Sequence, residues 1–289
     1  KYGNMLHRFK EKNYEVNGAT YHELTSYYFI GIKDTWESIK ELIHMVEDPQ
    51  FSEEAIEGVK GAIIEEVNKN SDDKYRTAFN AAKRNFYSNF EAIDESYNTL
   101  GTKESTAGIT LEDVKVCYDA YYNDKNKFLV IGGNFEIDEM VDYLEEIYAE
   151  LESHPCRMRK ADYSDDFGVR KEYEELEKPL DTDFAIVKYK IRNDFKERLL
   201  LLDLYFYIFL RLKFGSDTDF VTNLIEKKVI IGGISSSVNF FDGVIELTFS
   251  ADVLDKDAFL VALDKELHFD GLDAYRFDLV KKAIKVGEL

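Results

Sequence analysis

The 289-residue chain carries 37 Lys and Arg against 57 Asp and Glu, a net charge of −20. That balance argues against nucleic-acid binding, because neutralising phosphates needs a basic surface. A hydrophobic share of 45% can build a sizeable core, and 33% charged residues with only 3 prolines mark a folded chain, not a disordered one. The 2 cysteines, Cys117 and Cys156, make no disulfide framework and suit a reducing compartment, so the expected location is the cytoplasm.

Helical periodicity runs through about residues 4–15, 35–47, 53–70 and 73–88, then 111–123 and 136–151. The stretch TLED at 110–113 reads as a capping box, with Thr110 serving the open amides of a first helical turn. Two strand-like runs lie between the helices: GATYHELTSYYFIGI (18–32) and KFLVIGGNF (127–135). The second is apolar enough to predict a strand buried on both faces. Residues 152–170 are polar without a sustained period and read as a linker between a first lobe, 1–151, and a second, 171–289.

In the second lobe, 183–191 reads as a strand and 195–214 and 218–228 as helices. A hairpin is predicted around Asp242-Gly243, followed by helices at 256–267 and 272–288. The most hydrophobic run, RLLLLDLYFYIFLRLKFG at 198–215, is interrupted by Asp203 and flanked by Arg198, Arg211 and Lys213. It reads as a buried core helix, not a membrane span, so no membrane partner is expected. No secretory leader is recognisable, and the chain opens on Lys1, consistent with an upstream segment that was removed or left out. A quasi-repeat links the halves: FLVIGGNFEIDEMVDYLEEI and ELTFSADVLDKDAFLVALDKEL share the plan of strand, short turn and amphipathic helix. The expected fold class is therefore α+β, two related lobes of antiparallel sheet packed with helices.

Site chemistry is sparse. The histidines are His7, His22, His44, His154 and His268, and none stands four residues from another. No helix thus offers zinc two imidazoles one turn apart. His154 and Cys156 lie close, but two ligands do not make a site. GGN at 132–134 lacks the spacing of a phosphate-cradling loop. Ser235 to Ser237 lack the strand-to-helix elbow of a nucleophile, and Cys117 sits inside a predicted helix as an inert thiol.

Four stretches together carry a resemblance: NGA at 17–19, LIHMVEDPQFSEEAIEGVKGAIIEEV at 42–67, LGTKESTAGITLEDVKVCYDAYYNDKNKFLVIGGNF at 100–135, and GSDTDFVTNLIEKKVIIGGISSS at 215–237. They resemble the M16 metallopeptidases, the insulinase, pitrilysin and mitochondrial-processing-peptidase group, and specifically its half-size bacterial members. The resemblance implies that family's two-lobed fold, here without the N-terminal strands and motif helix of the first lobe and without the last helices of the second.

For activity, the resemblance implies zinc held by the two histidines of an H-x-x-E-H helix and by a glutamate on a later helix. By register that glutamate is Glu66, and the assisting position seven residues earlier holds Val59. The histidine helix would lie ahead of Lys1, so zinc is expected only if an upstream H-x-x-E-H exists. The strand after NGA pairs with substrate backbone in the family. Here it is about five residues short by the same register, leaving Thr20, Tyr21 and His22 as edge-strand candidates. The second-lobe positions that carry an arginine and a tyrosine in active members hold Ile225 and Gly232. The chain is therefore expected to be a degenerate or incomplete subunit, inactive alone, that binds peptide and forms a homo- or heterodimer with another M16 chain. The alternative is an active zinc endopeptidase whose H-x-x-E-H helix lies upstream.

Overall fold

The computed structural model describes residues 5–21, 24–88, 99–153, 167–177, 181–195, 198–241, 243–268, 271 and 273–287. His22, His154, Cys156 and most of the expected linker fall outside the described residues. The chain divides into two compact units, residues 1–69 with 95–162 and residues 70–94 with 163–289. The protein is α+β, with antiparallel sheet in each unit.

The first unit opens with α1 (Met5–Glu11), followed by the strands β1 (Glu15–Thr20) and β2 (Thr25–Ile30). The run expected as one strand over 18–32 is thus the turn and second arm of a hairpin, paired from Glu15↔Ile30 to Thr20↔Thr25. Tyr21 closes it, its amide donating 2.7 Å to Leu24 O. Fully buried Phe9 stacks edge-on against Phe29 of β2 at 5.1 Å and fixes the hairpin to α1.

Beneath lies α2 (Thr35–Glu47), whose apolar residues recur at helical spacing. Its Ile39 and Ile43 meet Met140 and Ile147 of α7 (Ile137–Ala149) in one cluster, on which Phe29, Ile131 and Phe135 also pack. Two buried α2 carboxylates are each matched by a cation: Glu41 by Arg8, and Glu47 by Lys127.

Helix α3 (Glu53–Asp72) follows the Asp48-Pro49 break, and Ser52 Oγ accepts from Ala55 N at 3.2 Å at its start. The short α5 (Lys103–Gly108) precedes α6 (Leu111–Tyr121). Thr110 caps α6 in the expected box, its hydroxyl taking Asp113 N at 3.2 Å while Asp113 takes Thr110 N at 2.8 Å.

The second unit begins with α4 (Lys74–Phe86) and centres on a three-stranded sheet in the order β3-β5-β4. The strands are β3 (Asp183–Arg192), β4 (Ile230–Phe241) and β5 (Val244–Val253). The predicted β4–β5 hairpin forms, and Gly243 at φ +81° takes the left-handed turn position that a side chain would resist.

The central strand β5 is buried on both faces, with opposite chemistry on each. Leu247, Phe249, Ala251 and Val253 join the core built by α8 (Leu199–Phe214), α9 (Asp219–Glu226) and α10 (Lys256–Leu267). The other face carries Glu246, Thr248 and Ser250. There Lys188 of β3 pairs with Glu246 and donates 3.0 Å to Thr248 Oγ1, while Tyr87 OH donates 3.0 Å to Glu246 Oε2. Burial pushes the Glu246 carboxyl up, but Lys188 beside it and these donors outweigh burial and hold it below its ordinary value.

Helix α4 covers the β3 side of the sheet, where Tyr75 meets Phe184 edge-on at 4.7 Å. Residues 167–177 strap across it: the Arg170 and Lys171 amides reach Asn85 O, and Asn85 Nδ2 donates 2.8 Å to Glu174. The final helix, α11 (Ala274–Gly287), packs on α8.

Two expectations change. Helix α8 is not buried all round: Leu202, Leu210, Leu212 and Phe214 face the core, whereas Leu200 is 79% exposed and Leu199 and Tyr205 are also open. No described helix is long and apolar enough to cross a membrane. Residues 127–135, expected as a doubly buried strand, have no ladder partner among the described residues, and Phe128 and Val130 are 78% and 80% exposed. A strand is made by its neighbours, and apolar composition without them leaves an extended, open segment.

Candidate functional site

The family-register position Glu66 lies on α3, where the chain has good reasons to be helical. Ser52 caps the start, Glu53 and Glu54 meet the positive end of the dipole, and Val67 supplies a buried contact. The break before it is pinned by Tyr118, whose hydroxyl donates 2.7 Å to Val46 O and 2.9 Å to Glu47 O. Its ring meets Phe51 edge-on at 5.4 Å. Burial, with the Glu47 and Asp48 charges adding to it, pushes the Tyr118 hydroxyl up to about 12, so it stays a proton donor to those carbonyls. Lys60 ties α3 to α5 by donating 3.2 Å to Ala107 O.

Glu65 and Glu66 are both exposed, and Val59, two turns earlier, is exposed on the same helix. The described residues do not bring imidazoles to them. His7 pairs with Glu11 on α1 at 3.4 Å, His44 lies in α2, and His268 ends α10 with Nδ1 2.8 Å from Asp264 O. Among the described residues no three His, Cys, Asp or Glu side chains converge as a metal would require. A catalytic zinc needs three protein ligands and an open position. The donor set around Glu66 does not fit one.

The edge-strand candidates are placed in part. Thr20 ends β1 opposite Thr25, Tyr21 follows it and is 59% exposed, and His22 lies outside the described residues. β1 and β2 form a two-stranded sheet, so β1 has an open outer edge among the described residues.

In the second unit, Ile225 lies near the end of α9 and Gly232 in β4, at the register shift between Ile231 and Ser235. Gly232 holds φ +74°, a conformation that would strain any other side chain, so this bulge is built for glycine and not for a tyrosine.

A groove in the second unit escaped the sequence reading. It is a cavity of about 480 Å³ between α8 and β4, lined by Asp203, Tyr207 and Arg211 of the helix and Ser216, Ser236 and Val238. β4 is the last strand of its sheet, so its outer edge has no partner strand among the described residues. The signal was available as the spacing 203, 207, 211 along one helix face, but the uniformly apolar neighbours of α8 hid it.

A sequence model of the family described as Peptidase M16 inactive domain matches residues 108–281. The chain belongs to the M16 peptidase family. One M16 relative is the uncharacterized zinc protease YmfH of Bacillus subtilis (strain 168), 24% identical over 232 residues, 79% of this chain and 53% of that protein. An M16-like peptidase from Alicyclobacillus acidocaldarius has the same fold, with a TM-score of 0.82 at 23% identity, covering 96% of this chain and 66% of that one. An M16 inactive domain from Pseudomonas fluorescens gives a TM-score of 0.67 at 12% identity, over 92% and 64% of the two chains. This M16 chain thus spans about half the length of the curated relative.

Proposed function

We propose that this M16 chain is a non-catalytic subunit that binds an extended peptide and pairs with another M16 chain. The observation that carries it is the donor set: Glu66 is exposed on α3 with no described histidine beside it, so these residues assemble no zinc centre. Peptide binding is supported by two open strand edges, one at each unit. β1 ends at Thr20 and Tyr21, and β4 borders the cavity under α8. An extended chain adds to such an edge through backbone hydrogen bonds, and side-chain pockets then select among sequences. In the second groove Tyr207 offers an aromatic wall and Asp203 and Arg211 offer charges of both signs. The net charge of −20 favours basic peptides over acidic ones.

The second reading, an active endopeptidase, draws on Glu66 standing at the family ligand position and on the zinc-protease description of the B. subtilis relative. One experiment separates the two. The chain is incubated with a fluorescent, unstructured basic peptide, and anisotropy and cleavage are followed together, with Tyr207→Ala as control. Binding without cleavage, weakened by Tyr207→Ala, supports the subunit reading. Cleavage lost in Glu66→Gln supports the peptidase, and neither binding nor cleavage contradicts both.

A further inference from the structure

The open segment 127–132 is too well held to be a loop. Lys127 is ion-paired with the buried carboxylate of Glu47, and Ile131 and Phe135 pack on the cluster of Ile39, Ile43, Met140 and Ile147. Between these anchors the residues alternate as a strand does: Ile131 points to the core, while Phe128 and Val130 stand 78% and 80% exposed. No backbone hydrogen bond joins residues 128–132 to any described residue.

Phe29 of β2 packs on the same cluster as Ile131, so the hairpin and the open segment roof one core without being paired to each other. A two-stranded hairpin is itself marginal without further strands. Apolar surface with unpaired backbone, held straight, is a template for strand addition.

We propose that residues 127–132 are a preformed strand edge completed by β-strands of the same polypeptide that lie outside residues 1–289, extended segments whose apolar side chains alternate to cover Phe128 and Val130. Two observations favour that source over a second copy. The chain spans 53% of its B. subtilis relative and 66% of the Alicyclobacillus chain, so relatives carry substantial further sequence. Each copy also bears −20, and two copies meeting edge to edge repel.

Hydrogen–deuterium exchange tests this on two proteins, the 289-residue chain and the complete polypeptide encoded by its gene. In the 289-residue chain the amides of 128–132 exchange unprotected, while those of β5 are protected. In the complete polypeptide exchange at 128–132 slows by at least about 100-fold. Val130→Lys in the complete polypeptide returns those amides to fast exchange and leaves β5 protected, which separates loss of the edge from loss of the fold. Fast exchange in both proteins would overturn the proposal. So would a gene encoding nothing beyond these residues, or protection of the 289-residue chain that rises with concentration alongside a dimer in sedimentation.

Discussion

Residues 128–147 and 246–267 share one plan in the sequence, an apolar strand, a short turn and an amphipathic helix, yet they end in different states. In the second copy β5 is paired on both sides, by β3 and β4, and buried on both faces. In the first, residues 127–132 have no ladder partner among the described residues and expose Phe128 and Val130. The helices that follow, α7 and α10, form in both copies. Helix formation draws on contacts within four residues, whereas a strand draws on partners remote in sequence. The same local pattern therefore guarantees the helix and leaves the strand conditional.

The contrast is broken most strongly at Phe249, fully buried in β5. Phe249→Ala is expected to cost about 3–5 kcal/mol in urea denaturation of the second unit, through lost burial and a residual cavity. Each copy also has a lysine matched to a buried glutamate, Lys188 with Glu246 and Lys127 with Glu47. Lys188→Met or Lys127→Ala leaves a carboxylate buried and uncompensated, and each is expected to cost roughly 3 kcal/mol.

The Glu246 pair has a pH signature as well. Its folded carboxyl is held below the ordinary 4.5, so the pair's contribution is fully present above that value. It is lost as pH falls through the folded value, and Glu246→Gln should flatten stability against pH in the acid range only. The smallest effect belongs to the open segment: Phe128→Ala is expected to change stability of the 289-residue chain by less than about 0.5 kcal/mol. In the complete polypeptide the same substitution should rise towards the core value, which would measure directly what the missing neighbours supply.

Much of the architecture was legible before the structure. The helices over 35–47 and 256–267, the Thr110 capping box and the β4–β5 hairpin all follow from signals spanning a dozen residues or fewer. What escaped depends on distance. Helix α4 lies along β3, about a hundred residues later, and nothing in KYRTAFNAAKRNF announces that partner. The open face of α8 escaped because a helix apolar all round does not declare which side is covered.

The candidate site was legible only through the family register. That register singled out Glu66 and Val59, whereas the α8–β4 groove joins residues 203–216 to 234–238 and exists only once the helix meets the sheet edge. Gly232 is the converse case. The sequence marked it as a departure, and its φ of +74° supplies the reason.

The most direct test is the zinc content of the purified 289-residue chain after dialysis against zinc-containing and then zinc-free buffer. The donor set around Glu66 predicts no stoichiometric metal and no difference between wild type and Glu66→Gln. About one equivalent of zinc in the wild type, lost in Glu66→Gln, would contradict the assignment of this chain as a non-catalytic M16 subunit.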